Sequence, residues 1–222
     1  MGYNNEGAAR IVFDIETAPL AEAAAYIEPV DAPANYKDPA KIEAYKIEKQ
    51  AEQLDRCGLD VDLCRIVAIG WWSEELPDPK AWMVSEPESE ADRLSDFWQI
   101  VGGRSLVGFN CIGFDLPVLL RRSLYLGVQS PDIQIDRFKH PRVTDLAQLL
   151  SYNGTLRLRS LSFYAKRFGL GVADEMTGAD IARAVIEGRW DDIEAHVKAD
   201  VHKTALLAKK LGLFSRVAVE TF

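Results

Sequence analysis

Apolar and polar positions alternate along residues 10–17, with Ile11, Phe13 and Ile15 on one side and Asp14 and Glu16 on the other, which is the two-residue period of a strand. Apolar runs at 65–74 and 80–85, separated by a Pro77-Asp78-Pro79 turn, predict two more strands and hence a three-strand meander. Trp71 and Trp72 are neighbours on the second strand, so they face opposite ways. The period then changes. Helices are expected at 90–102 and from 115 to about 126, on either side of a strand at 105–110 and a turn through Asn110 to Gly113. Pro117 suits the first turn of the second helix, which puts Asp115 at or beside its N-cap. An extended piece at 141–145 precedes helices near 145–151, 159–168 and 178–187; Asp145 reads as the cap of the first, and Phe163 and Tyr164 sit at core spacing in the second. Asp191 with Glu194 starts a last helix, and Gly212 stops it. Its apolar stripe is Ile193, Val197, Val201, Ala205, Ala208 and Leu211. His196 and Asp200 lie one above the other along a border of that stripe, with His202 on the solvated far side.

Between the first two strands, residues 18–64 are too long for a hairpin loop and too patterned for disorder. Pro19, Pro29, Pro33 and Pro39 precede a helical stretch from about 39 to 56. This predicts one domain over 1–222 that carries a helical arm inserted beside the acids of the first strand, after a flexible lead at 1–9.

Burying Asp14 and Glu16 on one strand face is costly without a counter-charge, and a divalent cation with oxygen ligands would supply it. Taken singly, each candidate has an ordinary reading: an edge strand with a solvated acidic face, an N-cap at Asp115, a surface pair at His196 and Asp200. Their order along the chain carries more. Acid-x-acid on an early strand, Asn110-x4-Asp115 after a middle strand and His196-x3-Asp200 on a late helix resemble the three motifs of the DEDD 3′–5′ exonuclease superfamily. In wording they most resemble the proofreading domain of family B DNA polymerases and stand-alone exonucleases like it. The resemblance runs from about residue 10 to about 212. It includes Phe114-Asp115-x-Pro117 and the stretch from Met176-Thr177-Gly178 to Asp200-Val201.

The resemblance implies an α/β, RNase H-like fold: a central mixed sheet, with the antiparallel meander joined by parallel strands and flanked by helices. It implies two divalent cations, Mg²⁺ or Mn²⁺, held by Asp14, Glu16, Asp115 and Asp200. The activity would be removal of nucleoside 5′-monophosphates from the 3′ ends of mainly single-stranded DNA, with proofreading in trans. Substrate contacts are expected from Ile15, Asn110 and Phe114. The superfamily's last motif comes as Tyr-x3-Asp or as His-x4-Asp; here His196 stands at the Tyr spacing. Both can orient a water, but only histidine titrates near neutrality and can serve as a base. An RNA 3′ exonuclease and a silent nucleic-acid-binding module are the alternatives.

Composition adjusts this picture in one respect. The net charge is −8, which looks wrong for a nucleic-acid partner, but residues 1–60 hold twelve acids against six bases while residues 121–167 hold nine bases against three acids. Phosphate binding follows local field, and Arg157 and Arg159, after the Gly154 turn, are expected to meet the strand. Cys57, Cys64 and Cys111 form no C-x-x-C and read as small buried hydrophobes in a reducing compartment. No apolar run reaches the roughly 18 residues of a membrane span. A soluble cytoplasmic protein is expected, with the 18–64 arm as a candidate contact for a replication or repair protein.

Overall fold

The structure, a computed structural model, describes residues 9–136 and 139–214. All but the last residue of the expected flexible lead, and Arg137 of the basic stretch, lie outside the described residues.

Five strands form one sheet: β1 (Arg10–Pro19), β2 (Cys64–Trp72), β3 (Lys80–Met83), β4 (Ser105–Gly108) and β5 (Val143–Asp145), in the spatial order β3-β2-β1-β4-β5. The first three are antiparallel; β4 and β5 run parallel to β1. This is the mixed sheet expected. β1 is its middle strand, so its acids do not decorate a sheet edge.

The alternation of β1 sorts two layers. Ile11, Phe13 and Ile15 enter the main core with Phe97 of helix α2 (Glu90–Val101) and with Leu116 and Leu119 of helix α3 (Asp115–Tyr125). On the other face Val12 meets Val201, Ala205 and Ala208 of helix α7 (Trp190–Lys210). The two tryptophans divide as the pattern requires: Trp71 packs on Trp82 in the main core, and Trp72 lies under Lys209 of α7.

One glycine sets how closely α7 can approach. Gly70 of β2 pairs with Asp14, and a Cβ there would stand 2.8 Å from Val201 and 2.9 Å from Val197. Helix and sheet backbones therefore nearly touch beside the acids.

Of the remaining helices, α4 (Leu146–Ser151), α5 (Leu161–Arg167) and α6 (Ile181–Glu187) precede α7. Helix α1 (Pro39–Arg56) follows the expected bounds, capped by Asp38, and buries none of its residues. Its chain returns to the sheet where Gly58 packs on Pro19 and accepts a hydrogen bond from Thr17 Oγ1 at 2.6 Å. The three cysteines are buried thiols. Among the described residues no helix is long and apolar enough to cross a membrane.

Some local expectations are corrected. Helix α7 starts at Trp190, so Asp191 and Asp192 lie in its first turn and Arg189 is the residue before it. Phe163 is 45% exposed rather than core, because α5 is short and rests on the molecule through Leu161 and Ala165.

Candidate active site

The pairing of β1 with β4 ends at Val12↔Val107, after which β4 stops at Gly108 and the chain turns away. β1 continues past that point, so Asp14 and Glu16 stand where the two parallel strands separate. Sites of open α/β sheets form at such carboxyl-terminal openings. The turn is tight: Asn110 has φ of 59°, and a Cβ on Gly108 would lie 2.6 Å from Cys111 Cβ. Asp145 holds it, accepting hydrogen bonds from the amides of Asn110 (2.8 Å) and Ile112 (3.0 Å) while also capping α4 through Ala147 (2.9 Å). Its expected capping role is joined by this second one.

Asp115 does not cap α3. It is the first helical residue, and its Oδ1 accepts from the amide of Ile15 at 3.3 Å, across the gap that β4 has left. That hydrogen bond ties the strand of Asp14 and Glu16 to an acid a hundred residues further along the sequence. Burial raises the pKa of Asp14, as do the charges of Asp115, Glu16 and Asp200. Burial likewise raises Glu16, followed by the charges of Asp200, Asp115 and Asp174. Burial raises Asp115 to about 7 against the hydrogen bonds of its own amide and that of Ile15, with Asp145 and Asp200 adding to the rise. The three carboxyls share one physical state: desolvated, close together and short of positive charge.

His196, one turn before Asp200, is 5% exposed, so this pair is no surface pair. Its Nε2 lies 3.4 Å from Glu16 Oε1, and its Nδ1 lies 3.0 Å from both oxygens of Asp174. Asp174 also accepts a short hydrogen bond from Lys203, whose Nζ reaches Asp200 Oδ1 at 2.7 Å. Burial opposes the Lys203 charge, but the hydrogen bonds and charges of Asp174 and Asp200 outweigh it and raise its pKa. Burial is outweighed likewise at Asp174, which Lys203 and His196 hold below its ordinary value. Neither Lys203 nor Asp174 is among the residues expected from the sequence. Lys203 left a signal: a lysine three residues after Asp200 faces the same way, next to the apolar stripe. Asp174 lies in a loop without periodicity and left none.

The expected substrate residues separate. Asn110 and Arg159 line a cavity of about 430 Å³ together with Asp14, Asp200 and Phe109. The Arg159 guanidinium sits 5.5 Å from the centre of the exposed Phe163 ring. Arg157 is exposed and is not among the residues lining that cavity. Phe114 is half-buried against the main core. Ile15 buries its side chain in that core and offers the site its backbone.

The basic stretch is also thinner than its count. Arg122 is buried in a two-pronged pair with Glu90 at 2.8 Å, Arg121 pairs with Asp62 at 3.3 Å, and Arg142 donates to the carbonyls of Gly102 and Arg104. Arg157, Arg159, Lys166 and Arg167 remain as exposed bases in the segment that borders the cavity.

Comparisons with known proteins bear on the fold and on the family. No curated protein matches the chain. Among solved structures, the family B DNA polymerase from the hyperthermophilic archaeon Pyrobaculum calidifontis superposes over 92% of this chain with a TM-score of 0.60 at 17% identity, a likeness of fold. The aligned region covers 24% of that polymerase chain. A family model described as a predicted 3′–5′ exonuclease related to the exonuclease domain of PolB matches residues 59–218. The matched span contains Asp115, Asp174, His196, Asp200 and Lys203, and begins after β1 with its Asp14 and Glu16. The chain belongs to this family of predicted 3′–5′ exonucleases related to the exonuclease domain of PolB.

Proposed function

We propose that the protein is a metal-dependent 3′–5′ exonuclease that hydrolyses the terminal phosphodiester of mainly single-stranded DNA and releases nucleoside 5′-monophosphates. The observation that carries this is the grouping of Asp14, Glu16, Asp115 and Asp200, with three of the four held above their ordinary pKa by burial and mutual repulsion. Such a set holds more carboxyl groups than the one ammonium of Lys203 balances and offers hard oxygen donors, which fits Mg²⁺ or Mn²⁺. Asp14, Glu16, Asp115 and Asp200 would hold two such ions. When bound, the ions supply charge for an in-line displacement at phosphorus and ease deprotonation of water.

The rest is work for this chain's own side chains. His196 presents Nε2 to the acids and orients a water or takes its proton. Asn110 and Arg159 border the approach to Asp14 and Asp200, where a phosphate and the end of a strand would lie. Phe163 and the Arg159 guanidinium offer a flat surface to an unpaired base. Phe114 meets the terminal base, and Arg157 meets phosphates behind the scissile bond.

The test is incubation of end-labelled single-stranded DNA and RNA with Mg²⁺, Mn²⁺ or EDTA. DNA should shorten from its 3′ end in either metal, yield 5′-monophosphates, and stay intact in EDTA. Faster loss of RNA would overturn the substrate assignment. No cleavage in any metal would overturn the activity.

A further inference from the structure

Asp174, His196 and Asp200 each offer a ligand atom, and these atoms lie within 4.8 Å of one another. Two carboxylates and an imidazole at such separations make a ready site for a first-row divalent metal. Here the position already has a cation. Lys203 is 3% exposed, and its ammonium hydrogen-bonds Asp174 and lies 2.7 Å from Asp200 Oδ1.

We infer that Lys203 is the resident cation of this trio, closing it to metal and, with Asp174, positioning His196 and Asp200 for the acids of β1 and α3. The inference rests on the metal-site reading above. An ionised carboxylate only accepts hydrogen bonds, so the Asp174 pairing assigns the His196 proton to Nδ1 and directs Nε2 toward Glu16. A metal in the trio would compete for the same imidazole. The ammonium satisfies both carboxylates instead, and it anchors Asp200 through Oδ1. Asp174 and Lys203 are thus positioning residues, because neither needs to touch substrate or metal. The desolvation cost of the Lys203 ammonium calls for carboxylate partners whatever its role, and one of the two it has, Asp174, also holds the histidine.

Counting bound Mn²⁺ by electron paramagnetic resonance and equilibrium dialysis tests this without reference to cleavage. Wild type and Asp174→Asn should bind the same number of ions. Lys203→Met should bind about one more per chain, through an imidazole and two carboxylates. Adding Asp174→Asn to Lys203→Met should remove that extra ion, and Lys203→Arg, which keeps the cation, should not gain it. Loss of an ion on Asp174→Asn alone would overturn the inference by making the trio a metal site in the native protein. So would a folded Lys203→Met that gains none. If Lys203→Met does not fold, the Asp174→Asn count still decides the matter. A wild type that neither binds Mn²⁺ nor cuts would sink the exonuclease reading, while the gain in Lys203→Met would still judge this one.

Discussion

At the scale of single residues, the acids should behave as a unit. Asp200→Ala should lower turnover by several orders of magnitude with little change in circular dichroism. Retention of more than about a tenth of the wild-type rate, which is little more than 1 kcal/mol of barrier, would rule out the assignment. His196→Ala should cost roughly 10²–10⁴-fold if the imidazole moves a proton. His196→Tyr can still orient water and should stay measurably active. The carboxyls also set a pH dependence of stability. The pKa of Asp115 rises from 3.8 to about 7, and those of Asp14 and Glu16 rise too, so the folded protein keeps protons that the unfolded chain releases. Their contribution is fully present below the unfolded values and is lost as pH rises through the folded ones. The metal-free melting temperature should therefore fall between about pH 4 and pH 7, and Mg²⁺ should raise it more at about pH 8 than at about pH 5. A metal-free protein that instead gains stability across that window would show that these carboxyls are not desolvated.

At the scale of elements, the distance between α7 and the sheet decides whether the third motif meets the first. Gly70 permits that distance. Gly70→Ala should cost about 1–3 kcal/mol by overpacking. By shifting His196 and Asp200 from Asp14 it should also reduce turnover by up to about 10²-fold for an ångström of displacement. Melting curves and single-turnover rates measure the two effects, and wild-type values for both would mean that α7 does not rest on this point. The opposite layer depends on a different bond. Glu90 accepts from Arg122 and from the amide of Ile66 at 3.0 Å, tying α2 and α3 to β2. Truncating one partner leaves the other charged and buried, so Glu90→Ala should destabilise the fold by roughly 3–5 kcal/mol.

For the molecule as a whole, a net charge of −8 coexists with a small cationic border, Arg157, Arg159, Lys166 and Arg167, beside a negative site. Affinity for a single strand should accordingly be modest and salt-dependent. Replacing Arg157 and Arg159 by alanine should flatten the log–log salt dependence of oligonucleotide binding in Ca²⁺ by roughly 0.7 for each phosphate that is no longer neutralised. Turnover at saturating substrate should change much less. An unchanged slope would mean that the strand takes another path over the surface.

Periodicity alone determined the elements and which face of each is buried. Alternation along β1 put Ile11, Phe13 and Ile15 in one layer and both acids in the other, and the 3.6-residue stripe of α7 gave its buried face. Both follow from local geometry, since side-chain direction is fixed by secondary structure. The order of the three motifs then pointed to the family. Tertiary structure decided what composition could not. Arg122 counts among the bases of its stretch until Glu90 is met buried against it, and Asp115 reads as a helix cap until the amide of Ile15 supplies its partner. Asp174 becomes visible, and the helical spacing of Lys203 from Asp200 acquires its meaning, only once a loop and a helix face meet at His196. The physical reason is common to all three. The state of a buried charge depends on the partners that folding brings to it, and those partners lie far away along the chain.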